Sequence, residues 1–302
     1  MITEELKAEL LTNMADTTNE FKRIFHGRGG VYEGLRHLTI DSIDTIISAA
    51  FYFQEENEDA IIQMLSSLIN ESKYNTFIVQ RRYLQGSPTE VLFGELKSDL
   101  VAIENGMKFK LNLLSNQNSL YFADMKNGRA FVRENAKDKN VLNLFSYTCA
   151  FSVAAKLGGA ASVTNVDMSK SALSIGKANH HLNSVDAKGV SFLPYNILKS
   201  FSGIKKNGPY DFIIIDPPSF QKGSFDVKKD YAKIIKKLPE LSTPECIVLA
   251  CLNAPELDSN FLIELFSIYA PEFYFEKRVA NVSEFKNLDE EKSLKAMFFK
   301  RK

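Results

Sequence analysis

Short apolar runs alternate with amphipathic segments along the chain from residue 140 onward. A short apolar run bounded by turn residues predicts a buried strand, and apolar residues at helical spacing predict a helix. The predicted strands cover residues 140–145, 161–167, 189–194, 209–216, 246–252, 272–280 and 293–300. The predicted helices cover residues 148–157, 169–183, 226–238 and 256–269. This alternation indicates a seven-stranded, mostly parallel Rossmann-like α/β sheet with helices on both faces and an antiparallel last strand.

The first 114 residues follow a different pattern, which predicts a smaller α+β domain with hairpins. A helix is predicted over residues 3–24, ended by the glycines of FHGRGG, and a second helix over 57–70. Predicted strands cover residues 37–41, 45–53, 75–82, 91–95, 100–104 and 107–114. A strand over 119–123 and a helix over 125–135 then lead into the alternating region. We therefore divide the chain into domains 1–114 and 115–302.

Composition excludes several classes of protein. The chain has 302 residues, 45% of them hydrophobic, but no apolar run of a length that would span a membrane. Its acidic, polar start does not resemble a targeting segment. The three cysteines, Cys149, Cys246 and Cys251, lack the spacing of metal ligands. We expect a cytoplasmic protein with reduced thiols, no metal and no membrane contact. The oligomeric state stays open.

Net charge is zero, from 37 basic and 37 acidic residues, which argues against binding of nucleic acid by bulk charge alone. Local basic patches remain. One combines Lys22, Arg23, His26 and Arg28, and a lysine-rich patch spans 228–237. For the second patch, a solvated helix face is at least as good an interpretation as contact with RNA.

The segment PYDFIIIDPPSF holds the clearest candidate chemistry. Its apolar run ends at Asp216, where open α/β sheets bind their ligands. Pro217 and Pro218 hold the chain extended and carry no N–H group, which leaves free carbonyl groups. Phe220 follows as a surface for stacking. The arrangement suits a flat, polar substrate such as a nucleobase. A strand followed by a proline-rich turn with no function is the alternative interpretation.

The turn after the first core strand indicates which cofactor the sheet would hold. No glycine lies between Asn143 and Leu157, so the turn lacks the loop that a dinucleotide pyrophosphate requires. S-adenosylmethionine carries no phosphate and needs no such loop. Asp167 ends the second strand, where a carboxylate accepts hydrogen bonds from ribose hydroxyl groups, although it could also cap the next helix. Asn196 follows the third strand and is a candidate for the adenine edge or a plain turn residue.

Four motifs together resemble one enzyme family. These are the run from VLNLFSYTCAF to KANHHLN, the segments IDPPSF and FDVKKDY, and the earlier segment SLYFADMKNGR. They resemble the bacterial methyltransferases that make 7-methylguanine or 5-methylcytosine in 23S ribosomal RNA, and the 7-methylguanine branch most closely. The resemblance covers residues 105–302 and is weak over the first hundred. It implies a class I fold, S-adenosylmethionine as cofactor, 23S ribosomal RNA as partner and RNA recognition by the first domain.

The resemblance also implies roles for particular residues. Residues expected at the cofactor are Asp124 near the methionine amino group, Asn143, Phe145, Ser146 and Tyr147 along the methionine moiety, Asp167 and Met168 at ribose and adenine, and Asn196 at the adenine edge. Residues expected at the methyl group and the target base are Asp216, Pro217, Pro218, Phe220 and Asn253, and Asp216 is expected to contact the cofactor as well. The chain departs from the family pattern in having Cys149 in place of Gly, Asn196 in place of Asp, and Met125–Lys126 in the early motif.

The nature of the base decides which catalytic groups are needed. Carbon 5 of cytosine is a poor nucleophile and requires a cysteine thiolate to add to the ring first. Asn253 stands where that cysteine lies in the 5-methylcytosine branch, and we interpret Cys251 as a core residue. Guanine N7 needs alignment alone, with Asp216 and Asn253 stabilising the cationic product. Methylation of an exocyclic amine is the chemical runner-up.

Three hypotheses remain open from the sequence. The first is an S-adenosylmethionine-dependent methyltransferase of an RNA base, with guanine in 23S ribosomal RNA favoured. The second is a methyltransferase of a small molecule or protein on the same fold. The third is a catalytically inactive RNA-binding assembly factor, supported by Cys149 alone. Lys126, Arg129 and Arg133 share one face of a predicted helix, where they would contact RNA phosphates or form an ordinary charged surface.

Overall fold

The chain folds into two units, according to a computed structural model that describes residues 2–15, 18–70, 72–114 and 119–302. The first unit combines Met1–Ala123 with Val282–Asp289, and the second combines Asp124–Asn281 with Glu290–Lys302. Among the described residues, no helix is both long and apolar enough to cross a bilayer.

The first unit is built on a five-stranded sheet. Its elements are α1 (Ile2–Met14), β1 (Lys22–His26), β2 (Leu38–Ile43), β3 (Ile46–Phe51), α2 (Glu58–Asn70), β4 (Thr76–Arg81), β5 (Thr89–Phe93), β6 (Val101–Glu104) and β7 (Met107–Lys110). The sheet has the order β1-β2-β3-β4-β5, and β6 pairs with β7 in a separate hairpin. Among the strands described in this sheet, β3 and β4 alone run parallel, and α2 connects them. The other neighbours in this sheet run antiparallel.

Two predictions for this unit are wrong. The helix predicted to residue 24 ends at Met14, and Lys22–His26 forms β1 because Ile24 and Phe25 are buried in the core of the unit and the strand pairs with β2. The described residues 119–123 contain no strand. Tyr121 instead stacks on Phe109 with ring centroids 5.5 Å apart, and its hydroxyl donates to the Glu104 carboxylate.

The segment Val282–Asp289 joins the first unit although the chain reaches it from the second. Leu288 N donates to the carbonyl oxygen of Gly29 at 3.0 Å, and Lys286 Nζ lies 2.8 Å from Glu9 Oε1. Phe285 lies under the Arg23 guanidinium at 4.7 Å. The sequence pattern indicated only a polar loop at these residues. It did not predict that they would belong to the first unit.

The second unit has the predicted alternation of strands and helices. Its elements are α3 (Lys126–Asn135), β8 (Asn140–Leu144), α4 (Ala150–Leu157), β9 (Ser162–Val166), α5 (Lys170–Leu182), β10 (Val190–Leu193), α6 (Phe201–Lys205), β11 (Tyr210–Ile215), β12 (Phe220–Gln221), β13 (Phe225–Asp226), α7 (Val227–Ile235), α8 (Leu238–Leu241), β14 (Ser242–Leu252), α9 (Ser259–Tyr269), β15 (Phe273–Val279) and β16 (Lys295–Arg301).

The large sheet confirms the predicted fold class. Within the described part of the chain it has seven strands in the order β10-β9-β8-β11-β14-β16-β15. The first five in this order are parallel, and the last strand of the chain, β16, runs antiparallel to both of its neighbours. Residues 280–294, which connect β15 to β16, contain no α-helix of the kind that links parallel neighbours, and the two strands pair antiparallel.

The central strand β11 divides two hydrophobic clusters. Ile213 and Ile215 belong to one cluster, and Phe212 and Ile214 belong to the other. All four side chains are fully buried, because alternate residues of a strand point to opposite faces and both faces are covered. Asp216 directly follows this strand. The packing of β11 in the core therefore fixes the position of the Asp216 backbone.

Candidate active site at the carboxyl ends of the central strands

The strand order reverses between β8 and β11. After β8 the chain proceeds through β9 and β10 on one side, and β11 and β14 lie on the other. In open α/β sheets, ligands bind in the crevice outside the carboxyl ends of the strands at such a switch point. Asp167, Asp216 and Asn253 directly follow β9, β11 and β14.

The turn after β8 has an unusual backbone. Phe145, Tyr147 and Cys149 have φ values of 57°, 45° and 60°, in the left-handed region that side chains other than glycine seldom adopt. Such residues cost on the order of 1 kcal/mol each and persist where surrounding contacts hold them. The Ser146 N–H donates to the Val166 carbonyl oxygen at 3.1 Å, and the Cys149 N–H donates to the Ser146 carbonyl oxygen at 2.7 Å.

Asp167 holds the same turn from the end of β9. Its Oδ2 accepts from the Tyr147 N–H at 2.9 Å, and its Oδ1 accepts from the Ser169 N–H at 2.8 Å. Because each carboxylate oxygen can accept more than one hydrogen bond, the half-buried group keeps acceptor capacity for a ligand. Ser169 caps α5, since its Oγ accepts from the Ala172 N–H at 3.1 Å. Asp167 is therefore not the N-cap residue.

Cys149 packs away from the crevice, against α5. A Cβ atom built on Gly176 would lie 2.4 Å from Cys149 Sγ, so the missing side chain at 176 makes the room that the cysteine occupies. Burial raises the pKa of this thiol to about 12, so it stays protonated at neutral pH. Cys149, which stands where the family has glycine, is thus accommodated by the absence of a side chain at Gly176 on the neighbouring helix α5.

A cleft opens beside this turn. Its lining residues are Phe145, Asp167, Met168, Asn196, Ile197, Leu198, Gln221, Ser224 and Phe225. The rings of Phe145 and Phe225 meet edge to face with centroids 4.9 Å apart. Asn196 Oδ1 accepts from the Lys199 N–H at 3.2 Å, which orients the amide at the rim. The wall is thus mainly apolar with a carboxylate and two amides, which is typical of small-molecule sites.

Asp216 lies at the end of β11 and is half-buried, in electrostatic contact with the half-buried Asp124 and the buried Arg129. Its pKa is raised to about 7, mainly by burial and further by the Asp124 carboxylate, while the Arg129 guanidinium acts in the opposite direction. Arg129 is only 2% exposed. The hypothesis that it belongs to a solvated or RNA-binding helix face is therefore wrong. Arg133, one turn further along the same face of α3, is exposed, so the protein covers only the part of this face at Arg129.

Hydrogen bonds tie the end of β11 to the end of β14. Ser219 Oγ donates to the carbonyl oxygen of Asn253. The buried Tyr231 hydroxyl lies 3.0 Å from the carbonyl oxygen of Cys251 and 3.4 Å from that of Ile215. These bonds bring the DPPSF segment and Asn253 into one place. Beside them Phe220 is 68% exposed at the start of the β12–β13 hairpin.

The fold and the site geometry can be compared with known proteins. A model of the S-adenosylmethionine-dependent methyltransferases matches residues 22–300. The chain belongs to this family. The predicted cofactor and fold are thereby confirmed, and a solved methyltransferase structure in complex with SAH is 25% identical with a TM-score of 0.87, covering 99% of this chain and 80% of that chain. A candidate SAM-dependent methyltransferase from Streptococcus mutans shares the fold, with a TM-score of 0.88 and 24% identity over 99% of this chain and 80% of that one.

Curated relatives of this methyltransferase carry the name ribosomal RNA large subunit methyltransferase K/L. That of Shewanella sp. (strain MR-4) is 36% identical over 191 residues, which are 61% of this chain and 27% of the relative. That of Shewanella sp. (strain ANA-3) is 33% identical over 214 residues, 68% of this chain and 30% of the relative. The chain spans less than a third of the length of these relatives. The resemblance found in the motifs is confirmed.

The methyltransferase brings four of the expected cofactor residues to the cleft, namely Phe145, Asp167, Met168 and Asn196. It does not bring the Asn143 side chain there. Asn143 is buried behind the turn, where its Nδ2 donates to Asn165 Oδ1 at 3.0 Å. Ser146 is buried as well, and Tyr147 contributes its backbone N–H to the Asp167 contact.

Sequence reasoning missed several residues of the site. Ile197 and Leu198 directly follow Asn196, and a wider window around that strand end would have included them. Gln221, Ser224 and Phe225 reach the cleft through the β12–β13 hairpin, for which the sequence offers only the glycine at 223 as a turn signal. Tyr231 lies in the FDVKKDY motif. The motif supported the family resemblance, but it did not indicate that the Tyr231 hydroxyl would bond to the ends of β11 and β14.

The cysteines of the methyltransferase are buried thiols. Cys251 is 1% exposed, and burial together with the Asp216 and Asp124 carboxylates raises its pKa. The structure thus agrees with its interpretation as a core residue. In the described residues, no group of three His, Cys, Asp or Glu side chains is arranged to hold a metal ion.

Proposed function

We propose that the protein transfers a methyl group from S-adenosylmethionine to a base of 23S ribosomal RNA, with guanine as the favoured base. The observation that carries the proposal is the pairing of a cleft for the cofactor with the Asp216–Phe220 segment beside it, at the carboxyl ends of adjacent strands. The names of the curated relatives support ribosomal RNA as the substrate. Such a substrate would place the protein in the cytoplasm.

The residues of the cleft fit S-adenosylmethionine. Asp167 retains acceptor capacity for the two ribose hydroxyl groups. Met168, which is 42% exposed, and Phe145 offer apolar contact to adenine, and Asn196 stands at the rim for the adenine amino group. Asp124 is a carboxylate suited to the methionine ammonium group. Asn143 and Ser146 would support the turn from behind, and Tyr147 would act through the backbone.

The Asp216–Phe220 segment would hold the target base. Phe220 offers an exposed ring for stacking, while Pro217 and Pro218 leave carbonyl groups free to accept hydrogen bonds from base amines. The base would have to leave its stack to enter this site. Asn253 is exposed beside it and can donate or accept a hydrogen bond at the base edge.

The chemistry requires little beyond alignment. When bound, the cofactor supplies a methyl group on a sulfonium, and in-line attack by a base nitrogen forms the N–C bond as the C–S bond breaks. Guanine N7 carries no proton, so no base is needed, and an ionised Asp216 would stabilise the positive charge left on the ring. A cytosine C5 mechanism lacks support because Cys251 is a buried neutral thiol and Asn253 holds the expected nucleophile position.

Methylation of an exocyclic amine is the second candidate. The pKa of about 7 at Asp216 favours it, because a carboxylate with that pKa can take up the amine proton near neutral pH. The two candidates give products of equal mass that differ in the position of the methyl group.

The test is methylation of 23S ribosomal RNA from a strain that lacks the gene. Purified protein and labelled S-adenosylmethionine are incubated with this RNA or with RNA from the parent strain, and digested nucleosides are separated by chromatography and mass spectrometry. We expect 7-methylguanosine from the deletion-strain RNA only. Label in a small molecule or protein, but not in RNA, would overturn the RNA substrate. Cofactor binding without any methylated product would favour an inactive assembly factor.

A further inference from the structure

One edge of the five-stranded sheet in the first unit collects arginine and aromatic side chains. β1, β3 and β4 run in the same direction, and β2 runs against them. The residues after β1, β3 and β4 and those before β2 therefore share this edge. They include Arg28, Arg36, Tyr52, Phe53 and Arg82.

Two arginines of this edge share one aromatic ring. The Cζ atom of Arg28 lies 4.1 Å from the centroid of the Tyr52 ring, and the Cζ atom of Arg82 lies 5.2 Å from the same centroid. Both distances are within the range of cation–π attraction. We call Arg28, Tyr52 and Arg82 the Arg–Tyr cluster.

The backbone holds the cluster in place. The Tyr52 N–H donates to the His37 carbonyl oxygen at 2.8 Å, and the Arg82 N–H donates to the Phe51 carbonyl oxygen at 2.7 Å. The buried His37 ring packs between Phe51 and Phe53, at centroid distances of 5.8 Å and 5.7 Å. Phe53 remains 45% exposed next to the cluster. The edge is thus a preformed aromatic surface and not a set of loose side chains.

Among the described residues the two guanidinium groups of the cluster lack an ion-pair partner, although the Glu55 and Glu58 carboxylates act on the neighbouring His37. In the part of the chain that the structure describes, the buried Nε of Arg82 also has no hydrogen-bond acceptor. The arginines elsewhere in this sheet differ: Arg23 pairs with Asp41 at 2.5 Å, and Arg81 pairs with Glu58 at 2.6 Å.

A third guanidinium lies nearby. A Cβ atom built on Gly30 would be 2.9 Å from a terminal nitrogen of Arg36, so this side chain rests on the turn that carries Arg28. Two cations that share one ring repel each other, and a buried donor without an acceptor is unfavourable. An anion with several acceptor oxygens would relieve both.

We propose that the Arg–Tyr cluster and Phe53 form an RNA-binding site that takes a backbone phosphate on the guanidinium groups and an unpaired base on Phe53. Forked guanidinium donors match phosphate oxygens, and an exposed ring beside them suits base stacking in single-stranded RNA. The inference rests on the proposed function and adds to it the place where the first unit contacts the RNA.

The test compares two double variants that remove equal charge from opposite edges of the same sheet. Arg28→Gln/Arg82→Gln changes the cluster. Lys73→Gln/Lys97→Gln is the matched control, since Lys73 precedes β4 and Lys97 follows β5 at the other edge and both are exposed. Binding of a fluorescent single-stranded RNA is measured by anisotropy at several salt concentrations. Thermal unfolding of each variant confirms that it is folded.

We expect the cluster variant to bind RNA at least about tenfold more weakly, with a shallower dependence of affinity on salt, and the control to lose much less. Phe53→Ala should weaken binding of single-stranded RNA more than binding of duplex RNA. Equal losses in the two double variants would overturn the site, and so would a phosphopeptide that displaces RNA while single-stranded competitor RNA does not.

Calorimetry with S-adenosylmethionine on the same proteins separates the two hypotheses. Wild-type protein that binds the cofactor but no RNA contradicts the RNA substrate of the proposed function. If the wild type and the cluster variant bind RNA equally tightly, the proposed function still stands, but the proposed RNA-binding site at the Arg–Tyr cluster is contradicted.

Discussion

The proposed cofactor side and the proposed base side of the candidate active site are built differently. On the cofactor side, Asp167 and backbone hydrogen bonds hold a turn with three left-handed residues. On the base side, an exposed Phe220 stands on a two-residue strand, next to a carboxyl group whose pKa is near neutrality. The cofactor side is thus held by hydrogen bonds to the backbone, whereas the base side combines an exposed ring with a carboxyl group that titrates near neutral pH. Such a division suits methyltransferases, which use the same cofactor but act on different substrates.

The strongest test of the base side is Asp216→Asn. We expect kcat to fall on the order of 10³-fold with little change in the affinity for S-adenosylmethionine, because the carboxylate acts on the reacting base. In the wild type Asp216 is protonated below its pKa of about 7, so the rate should rise with pH through that value. The pH–rate profile of the variant should be flat there. A profile unchanged by the substitution would contradict the role of Asp216.

The matching test of the cofactor side is Asp167→Ala. This change removes the acceptor for two backbone N–H groups and the proposed ribose contact, so we expect the affinity for S-adenosylmethionine to fall on the order of 100-fold in calorimetry. Asp186→Ala is the control, since Asp186 is exposed and accepts one hydrogen bond within its own loop. Equal affinities for the two variants would show that Asp167 does not bind the cofactor.

The packing of the cofactor side is tested by Gly176→Ala. The new Cβ would lie 2.4 Å from Cys149 Sγ, so we expect the free energy of unfolding in urea to drop by about 1–3 kcal/mol. Cys149→Gly should restore most of this loss in the double variant, although it is nearly neutral alone, which makes the pair a double-mutant cycle. Additive effects would mean that the two residues do not compensate each other.

The smallest effect is expected for Phe220→Leu on the base side. Loss of a stacking ring should raise KM for RNA by about tenfold, or about 1.4 kcal/mol, with kcat and cofactor affinity nearly unchanged. Thermal unfolding should not change, because the ring is exposed. A drop in kcat with constant KM would indicate instead that the ring acts only in the transition state.

Strand ends were predictable and contacts between distant segments were not. Asp167 and Asp216 could be placed because each follows a short apolar run, which is a local signal. The burial of Arg129 could not be predicted, since three charged residues at helical spacing give the same sequence pattern whether the helix face is solvated or buried. The fit of Cys149 to Gly176 and the bonds of Tyr231 depend on which helix packs where. Lys22–His26 was assigned to a helix because its pairing with β2 leaves no signal within the segment itself.

The segment Val282–Asp289 has a consequence for synthesis of the protein. It packs on the turn at Gly29 and pairs Lys286 with Glu9, within a unit that otherwise ends at Ala123. During translation, this unit therefore cannot complete its fold when only residues 1–123 have left the ribosome. It must wait until residues 282–289 have been made, so a product truncated before residue 282 would leave both units incomplete.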